Sequence, residues 1–261
     1  MDYSDELFES CALMRRDHPL VLNITNYVAM NFSANALTAL GASPLMSFCS
    51  EEIQELVCAA DSLVVNIGCL DRFQVEAMRL ALTAAKTRKM PWVLDPVGVG
   101  ASRYRLQTCK ELIGLCPPAV IRGNVAEIQA LASGDTTLTR GVDARCSSPL
   151  IRNAAVNLSQ ACGSVVVVSG KEDLVADHGK TKTVPGGSDI MPLVSAMGCT
   201  ASALLGAFLA VDHSSWSASL KTMTLMKRCG EAASAALQEN EGTGSFMIRF
   251  LDALSRFARN E

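Results

Sequence analysis

Histidine is scarce in this chain, 3 of 261 residues, and the 10 cysteines form no C-x-x-C pair and no framework spacing. A zinc site and a disulfide scaffold are therefore not expected, and reduced thiols in a cytoplasmic protein fit best. There is no surplus of basic charge: 23 Lys and Arg stand against 26 Asp and Glu, a net charge of -3. Electrostatics give no reason to expect a nucleic acid or a membrane surface as partner. Long apolar runs are missing too. Val165–Val168 and Ala201–Val211 are too short to span a bilayer. The first residues, Met1-Asp2-Tyr3-Ser4-Asp5-Glu6, are acidic where a signal peptide is basic. Internal repeats and low-complexity segments are absent as well.

What is present is a large apolar fraction, 49% of residues, spread evenly enough for one large core. Short apolar runs alternate with helical patterns, which predicts an α/β layered domain with a mainly parallel sheet flanked by helices. Strands are expected at Leu20–Asn23, Leu63–Ile67, Trp92–Leu94, Ala119–Ile121 and Val165–Val168. The segments Asp173–Ala176 and Thr181–Val184 read as short antiparallel strands around an Asp177-His178-Gly179-Lys180 turn. Helices are expected over Glu6–Arg15, Val28–Leu40, Phe73–Arg88, Asn124–Ala132, Pro149–Ala161, Thr200–Val211, Ser215–Gln238 and Ser245–Phe257. A polar loop separates Ser133 from Ser148, with no domain boundary there; residues 1–261 read as a single domain.

Open parallel sheets bind ligands beyond the carboxyl ends of their strands. Asn66-Ile67-Gly68, Asp95, Arg122 and Ser169 all fall at such ends, one group from each of four strands around one crevice. Asp95, followed by Pro96, reads either as a loop or capping residue or, with Glu127, as a water-mediated Mg²⁺ site, since nucleotide-bound Mg²⁺ needs only one or two carboxylates. Asn124-x-x-Glu127 equally reads as a capping box, and the two readings are compatible. Arg122 is a solvated side chain or, with its planar fork, a phosphate contact.

The stretch Pro192 to Phe208 breaks at Gly198 and then runs through small apolar residues as a buried helix. A loop with Gly ahead of a helix directs unpaired N–H groups forward, an anion site. Cys199 stands at that start, where its thiol pKa is expected to be lowered; as one of 10 cysteines it also reads as a small buried hydrophobe. If position 196 takes a positive φ, Ala196 costs about 1 kcal/mol there.

Asn23-Ile24-Thr25-Asn26-Tyr27-Val28, Leu40 to Met46, Leu94-Asp95-Pro96-Val97-Gly98-Val99-Gly100-Ala101, Arg122-Gly123-Asn124-Val125-Ala126-Glu127, Val168-Ser169-Gly170 and the Gly198-Cys199 helix start occur here in a set order. In that order and spacing they closely resemble the hydroxyethylthiazole kinase family of thiamine salvage, in the ribokinase-like group, from about Pro19 to about Leu254. The resemblance implies transfer of the γ-phosphoryl of ATP to the hydroxyl of 4-methyl-5-(2-hydroxyethyl)thiazole. It implies that Asp95 and Glu127 serve Mg²⁺ and the triphosphate, and that Arg122 and Ser169 contact ATP. By the same likeness Asn26, Met46 and the backbone of Ala196 line the thiazole pocket, Gly198 amides hold the moving phosphoryl, and Cys199 takes the hydroxyl proton. It also implies a homotrimer with shared sites. The family usually has Gly-Thr-Gly-Cys or Gly-Ala-Gly-Cys where this chain has Ala196-Met197-Gly198-Cys199, and more often Pro at Thr243. Rival readings are a hydroxymethylpyrimidine kinase-like enzyme, against which Cys199 and Asn23-Ile24-Thr25-Asn26 argue; a dehydratase that repairs hydrated NADH, which would carry Asp in place of Cys199; and a weakly active nucleotide-binding relative.

Overall fold

A computed structural model describes residues 4–136 and 148–259. Helix α1 (Ser4–Asp17) leads into β1 (Leu20–Ile24), α2 (Met30–Leu40), β2 (Ser43–Met46), α3 (Ile53–Ala59), β3 (Ser62–Asn66), α4 (Arg72–Arg88) and β4 (Trp92–Asp95). Then follow α5 (Arg103–Leu115), β5 (Val120–Asn124), α6 (Val125–Ser133), α7 (Pro149–Cys162), β6 (Val165–Ser169), β7 (Asp173–Asp177) and β8 (Lys180–Val184). Helices α8 (Met197–Val211), α9 (Ser215–Ala235) and α10 (Thr243–Ala258) close the chain.

The strands form one sheet in the order β2-β1-β3-β4-β5-β6-β7-β8. The pairings from β2 through β6 are parallel, and β7 and β8 add antiparallel at one edge. The expected fold class is therefore the observed one. Both faces are covered, so the central strands β3, β4 and β6 carry near-continuous apolar runs whose side chains alternate sides with period two. Val64, Val93, Val120, Val165 and Val167 face a core built with α1, α2, α8, α9 and α10. Leu63, Val65, Leu94, Ile121, Val166 and Val168 face a second core built with α3, α4, α5, α6 and α7.

Local chemistry sets the helix ends. Asp71 accepts from the N–H groups of Phe73 and Gln74 at the start of α4, and Ser148 with Pro149 starts α7. Gly41, Gly134 and Gly163, all left-handed, stop α2, α6 and α7. Helix α8 lies on β1, β3 and β4. It comes so close that a Cβ on Gly206 would stand 2.6 Å from Val64 and 3.0 Å from Val21. The run of small residues in α8 is what allows this approach, and it brings the helix N-terminus over the carboxyl ends of the central strands.

The sequence expectations for α4, α7, β3, β6 and the β7–β8 hairpin hold to within a residue or two at each end. Helices α3 and α5 and strand β2 were not expected. Most of the polar stretch between Ser133 and Ser148 lies outside the described residues; Ser133 itself closes α6. Among the described residues no helix is long and apolar enough to cross a membrane.

Candidate active site

A cavity of about 550 Å³ opens over the carboxyl ends of β4, β5 and β6, beneath the start of α8. Asp95, Arg122, Glu127, Ser169, Ala196, Gly198 and Cys199 all line it. Seven of the nine residues singled out from the sequence therefore meet in one place. Asn26 reaches it through Cys199, its Nδ2 lying 3.4 Å from Sγ. Met46 is not among the lining residues. It stands half-buried on the edge strand β2, opposite Asn23, and packs against the α2 and α8 side of the sheet.

The start of α8 is built for an anion. Thr200 N–H donates to Ala196 O at 2.8 Å, and Met197 N–H donates weakly to Val194 O at 3.4 Å. Among the described residues the N–H groups of Gly198 and Cys199 have no protein acceptor. Both sit at the positive end of the helix dipole. Ala196 has φ 68° and ψ -2°, the left-handed conformation that the family's usual Gly adopts freely. Substituting Ala196→Gly should remove this strain; after the added flexibility of the unfolded chain is set against it, a gain of about 0.5 kcal/mol remains, a rise of roughly 1–2 °C in Tm. A thermal melt showing a fall would contradict this.

Arg122 is buried beneath that helix start. Its Nη2 donates to Ser169 Oγ at 2.6 Å, and its buried Nε has no partner among the described residues. A Cβ on Gly198 would come within 2.7 Å of Nη1, so glycine is what lets the guanidinium lie against the helix. A guanidinium and two open amides converging on one space call for an oxyanion with several oxygens.

Asp95 is fully buried at the end of β4. Oδ2 accepts from Asn66 Nδ2 at 2.7 Å, while among the described residues Oδ1 has no partner in hydrogen-bond geometry, although the Ser202 hydroxyl lies close enough to favour the charged form. Burial pushes its pKa up to about 6, resisted by the Arg122 charge and reinforced by Glu127. A buried carboxylate that lines the cavity and has an oxygen short of a donor fits a cation. Glu127 does close the capping box: Oε2 accepts from Asn124 N–H at 2.8 Å, Asn124 Oδ1 accepts from Glu127 N–H at 2.9 Å, and Oε1 accepts from Gly98 N–H at 3.0 Å. With each oxygen already holding an amide, Glu127 suits a cation better through water than by direct contact. Among the described residues no cluster of three or more His, Cys, Asp or Glu could hold a metal alone.

The expected lowering of the Cys199 pKa is corrected. Burial pushes the thiol up to about 11, the Asp95 charge adds to this, and the hydrogen bond from Asn26 opposes it. The helix start alone suggested a thiolate; the low-dielectric surroundings and a nearby carboxylate outweigh it.

Sequence reasoning missed Lys227 and Asp173. Lys227, buried on α9, donates to the carbonyls of Gly170 and Lys171 at 2.8 and 3.0 Å and pairs with Asp173 at 3.2 Å. Asp173 in turn accepts from Gly170 N–H at 3.0 Å. Together they hold the turn after β6 at the cavity wall. The signal was a lysine on a stripe of buried residues, one position after Met226 and four after Met223.

A doubly covered, mostly parallel sheet with the open start of a helix over its centre is the arrangement of a ribokinase-like fold. The chain superposes with a TM-score of 0.67 on a ribokinase-like superfamily protein from Enterococcus faecalis, with 14% identity, covering 94% of this chain and 88% of that one. The family is narrower than the fold: the model of the hydroxyethylthiazole kinase family matches residues 11–260, and the chain belongs to that family. It is 42% identical to the hydroxyethylthiazole kinase of Brachyspira hyodysenteriae over 257 residues, 98% of this chain and 96% of the relative. It also matches the structure of a hydroxyethylthiazole kinase from Pyrococcus horikoshii OT3 with a TM-score of 0.85 and 34% identity, over 97% of this chain and 93% of that one.

Proposed function

We propose that this enzyme transfers the γ-phosphoryl group of ATP to the primary hydroxyl of 4-methyl-5-(2-hydroxyethyl)thiazole. Family membership supports the substrate pair. The observation that carries the site assignment is the open amide pair of Gly198 and Cys199, facing Arg122 and Asp95 across one cavity. Arg122 and Ser169 bind phosphate oxygens of ATP, and the amides at Gly198 hold the transferring phosphoryl. Asp95 and, mostly through water, Glu127 would hold Mg²⁺, which when bound would neutralise charge on the triphosphate.

The transition state is largely dissociative, so a strong base is not required. This suits Cys199, whose thiol is protonated at neutral pH. The thiol orients the acceptor hydroxyl; late in the transfer Sγ takes the hydroxyl proton while its own S–H proton passes to an oxygen of the transferred phosphoryl group, so the thiol ends as it began. Asn26, Met46 and the Ala196 backbone form the thiazole side. Met46 lies at the sheet edge, away from the cavity, and Tyr27 and Val28 beside Asn26 are 58% and 69% exposed. These positions support a homotrimer in which a neighbouring copy completes the thiazole pocket. The unpaired thiols of Cys49, Cys58 and Cys69 support a cytoplasmic location.

The test is coupled ADP release with a panel of alcohols. Hydroxyethylthiazole should give the highest kcat/KM; a preference for hydroxymethylpyrimidine, or no release with any alcohol, would overturn the proposal. Within that assay Cys199→Ala should lower kcat by roughly 10- to 100-fold, the low end of the range for proton-transfer assistance, with KM for ATP and the melting temperature nearly unchanged. Cys199→Asp should keep more activity than Ala, because a carboxylate beside the acceptor hydroxyl can still take its proton. An Ala variant of full activity would remove Cys199 from the reaction.

A further inference from the structure

We propose that Asn66 is a positioning residue: its amide sets the direction in which Asn26 presents its side chain to Cys199. The inference rests on the reading of Cys199 as the residue that faces the acceptor hydroxyl. Asn66 ends β3 directly beside Asp95 on β4, and it is buried. Its Nδ2 donates to Asp95 Oδ2 at 2.7 Å, and its Oδ1 accepts from Asn26 Nδ2 at 2.9 Å and from Gly68 N–H at 2.9 Å.

An amide side chain has one accepting end and one donating end, whereas an ionised carboxylate only accepts. The Asp95 carboxylate therefore fixes the Asn66 amide with its NH₂ toward Asp95 and its oxygen toward Asn26. That oxygen fixes Asn26 in turn: its NH₂ faces Asn66 and the Cys199 sulfur, and its oxygen accepts from Ala29 N–H at 3.0 Å. Cys199 Sγ is then the acceptor, which leaves its own S–H free to point away from Asn26. Both amides are buried, so a reversed amide would leave polar groups unpaired with little water to rescue them.

The turn after β3 is shaped for this purpose. A Cβ on Gly68 would stand 2.6 Å from Asn26 Nδ2 and 2.9 Å from its Cβ, so glycine makes the seat on which Asn26 rests. Arg105 pins the same turn from α5, donating to the carbonyls of Ile67, Val97 and Gly68 at 2.6, 2.8 and 2.9 Å. The polarity of one carboxylate is thus transmitted through two amides to a sulfur supplied by a different element.

The test combines Asn66→Leu, which keeps the shape and removes both polar ends, with Asn26→Leu and the double variant. Asn66→Leu should lower kcat for hydroxyethylthiazole phosphorylation about 10-fold, and in the Asn26→Leu background it should cost no more than about twofold further. Full multiplication of the two losses would overturn the proposal. A second readout does not depend on turnover: alkylation by iodoacetamide, followed peptide by peptide. Asn66→Leu should slow Cys199 by roughly threefold or more, because Asn26 Nδ2 is no longer held toward the sulfur it donates to, while exposed Cys49 and Cys58 and buried Cys11 and Cys109 keep their rates. An unchanged or faster Cys199, or a rise at Cys11 and Cys109 that marks general loosening, would overturn it. If Asn66→Leu fails to fold, Asn66→Ala, which also removes both polar ends without adding charge, is read in the same way. Should the wild type phosphorylate no thiazole alcohol, the proposed function fails, and the alkylation comparison still decides this inference.

Discussion

Replacing Arg122 with Ala is expected to weaken ATP binding by roughly 10- to 100-fold while leaving the affinity for hydroxyethylthiazole within about twofold. The range follows from losing a charged, forked donor to phosphate oxygens, in which each such bond contributes about 1.5–3 kcal/mol. The geometry supports a phosphate role over a structural one. Apart from Ser169, the guanidinium has few protein partners, and its Nε is buried without one. A structural arginine in so tight a place would normally be paired with a carboxylate or several carbonyls, as Arg105 is. Arg122→Lys should not restore binding, because an ammonium cannot reproduce the fork. Gly198→Ala offers an approach from the opposite wall. Its Cβ would meet Nη1 at 2.7 Å and push the guanidinium aside, so the variant should imitate Arg122→Ala although the arginine is still there. Calorimetry with ATP and with the thiazole alcohol separately decides the matter. Equal losses for both ligands would mean that Arg122 supports the site as a whole.

Much of the architecture was legible because two-sided burial leaves an unmistakable pattern. Val165–Ser169 and Ser62–Asn66 are continuous apolar runs that end in a polar residue, and that polar residue marks the ligand side of the sheet. The parts that were missed had weak or mixed signals. Helix α5 is largely polar, with its buried stripe reduced to Leu106, Thr108, Cys109 and Leu112. Helix α3 is seven residues long. Strand β2 contains Pro44, which is tolerated because β2 is an edge strand and the missing N–H leaves no ladder partner wanting. The start of α8 was placed late, at Thr200, because Gly198 reads as a break when it is in fact the second helical residue.

In the site itself, residue types and strand-end positions were readable, but pairwise electrostatics were not. Asn26, Asn66 and Cys199 are separated by 40 and 133 positions, and nothing local shows that they touch. The Cys199 thiol was misjudged for the same reason. A helix start is visible in the sequence, whereas the depth of burial and the carboxylate that folds alongside are not. Asn124-x-x-Glu127 shows the reverse case, in which a local pattern reports its own hydrogen bonds faithfully.

Asp95→Asn should lower kcat by about 100-fold or more while making the unliganded protein more stable above pH 6. The first effect follows if the orphaned Oδ1 is the oxygen offered to Mg²⁺, since an amide binds that hard cation poorly and transition-state charge on the triphosphate is left uncompensated. The second follows from linkage. In the folded protein burial raises the Asp95 pKa from 3.8 to about 6. Between those values the unfolded chain has already released a proton that the folded chain still holds, so stability falls as pH rises through this window. Above about pH 6 the cost is complete and constant, and below about pH 4 it disappears. Asn carries no charge at any of these values. Its oxygen can keep the bond from Asn66 Nδ2, and its NH₂ takes the place of Oδ1. The Tm advantage of Asn over the wild type, measured without nucleotide or metal, should therefore grow from about pH 4 to about pH 6.5 and then level off. Adding Mg²⁺ and ATP should reverse the order, because a ligand stabilises in proportion to how tightly it binds the folded state, and the wild type binds more tightly. A Tm difference that does not change with pH, or a variant that gains as much from Mg²⁺ and ATP as the wild type does, would show that Asp95 holds the turn after β4 and does not serve the metal.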